Sequence, residues 1–575
     1  MNKNVRVYFI CFGLILALLT SGFASQPASS AQDGSTIYIP ISFSGSGIQS
    51  SVEDIGDRQA SGAQTITRIL ARGAPIHGAN GMFFGPDGYL YIASAMSGGI
   101  VVMDPNSGLI IKHIVLEQGM DGPDDLTFGP DGSLYWTALA MGRIGKMAPD
   151  GTQSLAAQLP PGVNPITFSD DGRLFTALDF IGDGLYEIYL DGVTPPRLII
   201  PVLGWLNGFD FGPDGYLYGP IIQQAIIAKI DVDTGEMWTV LDNVYGTAAV
   251  KWGPDGWMYF VNSPFGTVSR MDVDSGEVQL ITTLMPGLDN LAFDQKGRLF
   301  VSSAEEGFVV QVKLDGTIRP VSPGGMIVPG GVAVLPDARG GDNVFVGDLW
   351  VLRQFDGQTG RELSIGFEDN KSAITVAADG ANLIISSFWD NAVYVYDPIT
   401  MAIIEARFDF ASPGNVLRFQ GDLIVAELGT GHVVASSAPG EYEVLAELFY
   451  PLGLAATDDD LWVTDWVAGT VYQLVQDGEP VMITIAEGLL QPEGLAVLPD
   501  GNLLVVEAGV GRVMLIDTET GSVTPFVVGL QLGGLYLNGM PPSFIFNGIA
   551  VSQQTGAIYV TGDEANLLYR IDQRP

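Results

Sequence analysis

Three observations predict an all-β chain. The first is a repeat. Phe84–Tyr91 reads Phe-Gly-Pro-Asp-Gly-Tyr-Leu-Tyr, and variants of it recur at Phe128–Tyr135, Phe168–Phe175, Phe211–Tyr218, Trp252–Tyr259 and Phe293–Phe300. These anchors are spaced by 44, 40, 43, 41 and 41 residues, and looser copies at Val334, Val376, Leu417, Ala455, Val497 and Val551 bring the total to twelve. The second is local chemistry. Short β-branched or aromatic runs such as Tyr89–Ser94 and Ile100–Met103 are bounded by glycine, as strands are. Asp-Gly pairs at Asp87-Gly88, Asp131-Gly132, Asp171-Gly172, Asp214-Gly215, Asp255-Gly256 and Asp500-Gly501 supply the positive φ of a tight hairpin. The third is that no window of about 12 residues beyond the N-terminal region has helical periodicity.

Four short strands in each period of about 40–45 residues are the pattern of a propeller blade. One ring holds roughly 4–8 blades. Twelve four-stranded blades therefore predict two tandem six-bladed β-propellers, with the break near Ser322-Pro323-Gly324-Gly325. A five-plus-seven split requires only a small shift of that boundary. The last copy stops after its third strand, Asn566–Ile571. Its outer strand must come from elsewhere, either Thr65–Leu70 or Thr317–Val321, so that no edge stays open.

In chain order, residues 1–25 read as an export signal. Lys3 and Arg6 precede the apolar run Val7–Leu19, and Gly22-Phe23-Ala24 ends in small residues. The run is shorter than the roughly 20 residues of a membrane span. Residues 26–64 read as a strand (Thr36–Phe43) and a flexible Ser/Gly-rich linker, 65–323 as the first propeller and 324–575 as the second. The expected location is secreted, extracellular or periplasmic, with no stable membrane insertion once the signal is removed. The single cysteine, Cys11, leaves with it, which excludes disulfides, thiol catalysis and cysteine metal sites.

The chain carries 26 basic and 65 acidic side chains, a balance of −39. Such a surface is a poor match for nucleic acid or anionic lipid. It solubilises the protein, and it also accumulates cations. The expected partner is a small-molecule substrate or another extracellular ligand.

The innermost strand of each blade lines the channel, and its first residues face the channel mouth. Four positions before each anchor of the first half stand Asn80, Asp124, Asn164, Asn207, Ala248 and Asp289. The corresponding residues of the second half are Gly330, Ser372, Pro413, Pro451, Glu493 and Asn547. Five oxygen donors against two is an asymmetry that strand-entry turn chemistry alone does not predict. A ring of carboxylate and amide oxygens suits a hard divalent cation, calcium above all. The expected ligands are Asn80, Asp124, Asn164, Asn207 and Asp289. Zinc fits worse, because the only histidines, His77, His113 and His432, sit at unrelated phases of the repeat.

Leu206–Tyr218 and Leu288–Val301 resemble two strands of the SMP-30/gluconolactonase group, and the array as a whole resembles six-bladed propellers of the SMP-30 and NHL-repeat kind. The resemblance implies one divalent cation in the channel and the opening of lactones or related esters. Asn207 would then be a ligand, and Asp289 a ligand and base. Asn290 stands where the group has glycine, and Asp124 is the chemical stand-in for its first-blade glutamate. On this reading the catalytic pair is Asp289 and Asp124, one of which takes the proton of a cation-activated water.

Two other readings compete with it. Ile424–Glu427, Trp462–Asp465 and Leu504–Glu507, each followed by a glycine and a further strand, resemble the NHL pattern, whose acids support turns. That favours a non-catalytic extracellular scaffold for a ligand or protein. Glu427 and His432 invite comparison with the streptogramin B lyases, propellers that use His, Glu and magnesium. Asn547–Ala550 with Tyr559–Gly562 resembles the last blade of propeller-type glutaminyl cyclases, although Asp563 and Glu564 replace the Lys and Trp of that family. His77 lies in a loop before the first inner strand, either solvated or facing the channel as an acid or base. Trp136, Trp238, Trp252, Trp350 and Trp462 are expected mainly to pack between blades.

Overall fold

A computed structural model describes residues 65–366, 371–534 and 546–573. The expected signal (1–25) and linker (26–64) lie outside the described residues. Within them the chain forms twelve four-stranded antiparallel sheets and only three short 3₁₀ turns. This is the architecture of tandem propeller domains. No helix among the described residues is long and apolar enough to cross a membrane.

The Asp-Gly phrase builds each first hairpin. In the fourth sheet, Gly215 adopts φ 81° with open space around it. The glycine is therefore required by backbone conformation and not by crowding. Asp214 ties the turn down. Its carboxylate accepts from the Tyr216 N–H at 3.3 Å, the Tyr218 hydroxyl at 2.9 Å and the Lys229 ammonium at 2.6 Å. Asp131 does the same with Ser133, Tyr135 and Lys146, and Asp255 with Trp257, Tyr259 and Arg270. One short acid thus pins the first turn to the second and third strands.

The anchor residues explain how sheets of the first half join. Each aromatic anchor packs on an aromatic of the preceding sheet's second strand. The ring-centre distances are 4.9 Å for Tyr91–Phe128, 5.3 Å for Tyr135–Phe168 and for Phe175–Phe211, 5.0 Å for Tyr218–Trp252 and 4.9 Å for Tyr259–Phe293. The cycle closes through Phe84 and Phe300 at 5.2 Å, first sheet against sixth. Inner-strand packing follows the same order, with Met82–Phe84 against Leu288–Phe293. In the second half, Pro329–Pro336 likewise packs on Ile549–Val551, but aliphatic anchors replace the aromatics. Phe300 is fully buried at the closing contact. Phe300→Ala is expected to lower stability by about 3–5 kcal/mol, as large-to-small aromatic core changes do, read as a shift of the denaturant midpoint.

Of the two segments expected to complete the last sheet, the N-terminal one does so. Thr65–Arg72 pairs antiparallel with Leu567–Gln573. Ile318–Ser322 is instead the outer strand of the sixth sheet. Residues 65–72, counted above with the first propeller, are thus hydrogen-bonded into the C-terminal sheet. The cause is the unpaired edge that a three-stranded last sheet would leave.

The chain passes between the two halves at 73–81 and at 323–328, and both passages lie at the ends where inner strands begin. They touch where the Ala74 N–H donates to the Met326 carbonyl at 2.8 Å, and the Gly73 N–H beside it donates to the Asn566 carbonyl of the last sheet at 2.6 Å. A side chain on Gly73 would meet the Met326 carbonyl at 2.2 Å, so only glycine fits there. Ala95 and Met96 of the first sheet join Ile327, Leu349, Phe388 and Trp389 in one apolar cluster. Arg353, fully buried, reaches Asp348 at 2.6 Å, Glu306 of the sixth sheet's loop at 2.9 Å and Glu362 at 3.1 Å.

Burial, only partly offset by Arg353, pushes the Glu306 carboxyl up to about 7. One guanidinium is shared among three carboxylates. The folded state therefore holds this proton more tightly than the unfolded chain does. The resulting stability is fully present below the ordinary glutamate value and is lost as pH rises through about 7. Glu306→Gln keeps an oxygen for Arg353 and removes the titration. The wild type is expected to lose stability relative to this variant between pH 5 and pH 8, in paired denaturation curves, by roughly 2–3 kcal/mol.

Candidate functional site

The candidate residues lie where the inner strands of the first half begin. Asn80, Asp124 and Asn164 are buried there, whereas Asn207 and Asp289 are half-buried. Asn80 and Asp124 are neighbours, the Asn80 amide donating to Asp124 Oδ1 at 3.3 Å. The Asn80 carbonyl is itself fixed by the Ser302 hydroxyl at 2.8 Å. Asp289 has no hydrogen bond to its carboxylate among the described residues, which leaves it the most available acid of the group.

The carboxylates feel one another. Burial pushes Asp124 well above the usual carboxylate range, with repulsion from Asp289 and then Asp125 adding to it. Asp289 is pushed up to about 8, first by lost hydration despite its half-buried side chain and then by Asp125. These shifts mark carboxylates buried close to one another.

Two acids of the group were not anticipated from the sequence. Asp125 follows Asp124 into the channel. It accepts from the Leu126 N–H at 2.9 Å, the Ile166 N–H at 3.1 Å and the Asn290 amide at 3.4 Å. Gly81 makes room for it, since a side chain there would come within 2.2 Å of Asp125 Oδ1. Burial raises Asp125 to about 6 against the opposing charge of Lys251. Lys251 lies 4.0 Å from Asp210, one layer deeper. Asp179 comes from the loop after Leu174–Leu178 and takes the Asn164 amide on Oδ2 at 2.9 Å. Its Oδ1 is buried with no hydrogen-bond partner, and burial and then Asp124 push its carboxyl well up.

Both Asp125 and Asp179 had a readable signal. The column after the mouth residues is Gly81, Asp125, Pro165, Gly208, Ala249 and Asn290, and the column after the second strands is Ala95, Leu139, Asp179, Ile222, Ser263 and Ala304. In the second column Asp179 is the one acid.

Asn207 stands apart from the expected set. Its Oδ1 accepts the N–H of its own neighbour Gly208 at 2.7 Å, the local bond a short amide makes at a strand entry. Among the described residues no three His, Cys, Asp or Glu side chains are grouped tightly enough to hold a metal ion by themselves. A cation would therefore need amide or backbone oxygens as well. The donor set fits that demand. It is all oxygen and carries surplus negative charge, and the orphaned Asp179 oxygen is a buried acceptor that lacks a positive partner.

The second half's mouth is built differently. Glu493 accepts from the Asn547 N–H and amide, both at 2.7 Å, and from the Trp466 indole at 3.3 Å. Burial raises it to about 8 and the neighbouring Asp563 to about 6. His77 is half-buried. Its Nε2 donates to the Asp563 carbonyl at 2.8 Å, and burial lowers its pKa. The acids of the NHL-like phrases support turns. Glu427 accepts from the Ala411 N–H and the Thr430 hydroxyl, and Asp465 accepts from the N–H groups of Phe449, Tyr450, Val467 and Ala468. Trp136 and Trp462 are buried packing residues, Trp350 stacks on Trp389 at 4.9 Å, and Trp238 is exposed on an outer strand.

No family model matches the chain. No curated protein matches it either. Similar solved structures are propeller proteins. A streptogramin B lyase is 18% identical over 49% of this chain and 94% of that one, with a TM-score of 0.36. A calcium-binding regucalcin from Agrobacterium tumefaciens is 17% identical over 41% of this chain and 86% of that one, with a TM-score of 0.35. The extracellular domain of a one-component system from B. thetaiotaomicron is 11% identical over 88% of this chain and 82% of that one, with a TM-score of 0.30. Likeness at this level concerns the fold alone.

Proposed function

We propose that the chain is an exported protein of two six-bladed rings whose first ring holds a divalent cation, calcium by its donor chemistry, and hydrolyses a lactone or ester there. The rings divide near residue 323, with 65–72 closing the second. One observation carries this reading. Asp124, Asp125, Asp179 and Asp289 crowd one channel mouth with a single lysine nearby, and Asp179 keeps a buried oxygen with no partner.

Asn80, Asp124, Asn164 and Asp289 are the proposed ligands, joined by Asp179; Asn207 is retained only as a weaker candidate. A bound divalent cation supplies carbonyl polarisation and a more acidic water. The chain supplies the rest. Asp124, steered by Asn80, orients the site. Asp289, the acid without a hydrogen-bonded partner, takes the proton of the attacking water. The water oxygen bonds to the acyl carbon, and the carbon–oxygen bond to the alkoxide breaks. The alkoxide receives the proton held by Asp289, so an ester yields an acid and an alcohol, and a lactone yields one hydroxy acid.

The test is calorimetric titration of calcium into the metal-stripped mature protein, followed by a lactone and ester screen. Saturable binding with metal-dependent turnover is the expected result. Absence of binding removes the hydrolase reading and leaves the non-catalytic extracellular scaffold. With a balance of −39, nucleic acid is not proposed as a partner in either case.

A further inference from the structure

An apolar group begins at the residue that follows Asp179 of the acid cluster. Leu139, Phe180 and Ile222 are buried together, and Ala140, Ile181 and Trp205 pack on them with part of their surface still accessible. These residues come from mouth-side loops of the second, third and fourth sheets. Phe180 directly follows Asp179, the acid with the orphaned oxygen.

The group is held in place by its own hydrogen bonds. The Gly162 N–H donates to the Leu139 carbonyl at 2.9 Å, and the Asp179 N–H to Gly162 at 2.8 Å. The Asp183 carboxylate gathers the N–H groups of Leu203 at 3.0 Å and Gly204 at 2.8 Å, which sets the loop carrying Trp205. The Ile222 N–H then donates to the Trp205 carbonyl at 3.0 Å. The two rings, Phe180 and Trp205, meet at 5.7 Å. Both residues have left-handed backbones, φ 55° and φ 68°. Bulky side chains adopt that conformation rarely, and such strain collects at functional sites.

We infer that Trp205, backed by Phe180 and Ile222, is the specificity wall of the axial site and that it selects a neutral ester or lactone bearing an alkyl or aryl group over a polyhydroxylated one. This rests on the hydrolase reading above. No side chain of the wall's apolar cluster can hydrogen-bond a sugar-like hydroxyl except through the single Trp205 indole N–H. A hydroxyl buried there would lose its water without replacement. The crowded carboxylates also disfavour an anionic substrate.

The test uses terbium as the cation probe and two ligands, a long-chain alkyl γ-lactone and a polyhydroxylated δ-lactone. Terbium binding is read by tryptophan-sensitised emission and by calorimetry, and lactone binding by calorimetry alone, whether or not turnover follows. The wild type is expected to show tryptophan-sensitised terbium emission and to prefer the alkyl lactone by roughly 10- to 100-fold, the range a hydrophobic pocket gives. Trp205→Phe should lose most of the sensitised emission, keep calorimetric terbium binding and retain the preference. Trp205→Ala should lose both the emission and the preference. Absence of terbium binding in the wild type overturns the cation reading beneath the inference. Terbium binding with an unchanged preference in Trp205→Ala, or a wild-type preference for the polyhydroxylated lactone, overturns the wall alone.

Discussion

Arg353→Ala is expected to cost about 3–5 kcal/mol, the usual penalty for stripping one partner from a buried ion group. Arg353 has no exposed surface, and its guanidinium serves Asp348, Glu306, Glu362 and the Gly325 carbonyl at once. Without it, three carboxylates face one another where the two halves join. Asp348 cannot turn away, because it also accepts the N–H groups of Ile327 and Val328 at 2.9 and 2.7 Å. Those residues belong to the passage between the halves, so the damage should appear as loss of coupled unfolding. Denaturation of the wild type is expected to be one transition. The variant should show an earlier transition for one half, resolved by tryptophan fluorescence against far-UV circular dichroism. A single transition shifted by less than about 1 kcal/mol would mean that the apolar cluster around Trp389 carries the junction instead.

How much of this was legible in the sequence depends on the range of the interaction involved. The sheets were, because an Asp-Gly turn with a tyrosine four residues later is a local device, and Asp214 with Tyr218 shows it working within one hairpin. The aromatic cycle was half legible. The anchors at 84, 128, 168, 211, 252 and 293 were visible as a column, but their partners lie on the neighbouring sheet, and nothing local names Phe300 as the residue that meets Phe84. The origin of the last outer strand stayed open between two segments because pairing across the whole chain leaves no local mark. At the candidate site the inner-strand column named Asn80, Asp124 and Asn164, and the structure puts the first two in hydrogen-bond contact. It named Asn207 too, whose oxygen satisfies its neighbour's backbone. It missed Asp179, which enters the mouth from a different strand end. A column read through only one phase of the repeat cannot show what another phase delivers to the same axis.

Neutralising Asp124 and Asp289 together, as Asp124→Asn/Asp289→Asn, is expected to move stability in opposite directions with and without calcium. In metal-free protein the two carboxyls are held above their ordinary range by burial and by repulsion from neighbouring acids, Asp125 acting on both. Folding therefore binds their protons more tightly, and the stability this brings is lost as pH rises toward 8. Asparagine matches the shape and carries no charge, so near pH 8 the metal-free variant should be the more stable protein. Calcium should reverse the order. A ligand present at one hundred times its dissociation constant adds about 2.7 kcal/mol to the state that binds it. The wild type should gain that much, and the variant, with its affinity reduced by roughly 100-fold or more, should gain almost nothing. Thermal denaturation at pH 8 in chelator and in excess calcium, with magnesium as a control for a smaller and more strictly octahedral ion, reads both effects. The crossing of the two curves is the diagnostic outcome, because a merely structural role for these acids predicts a variant that is weaker under both conditions. If calcium stabilises both proteins equally, the ion binds elsewhere, and the crowded carboxylates must be explained by the protons that burial makes them hold.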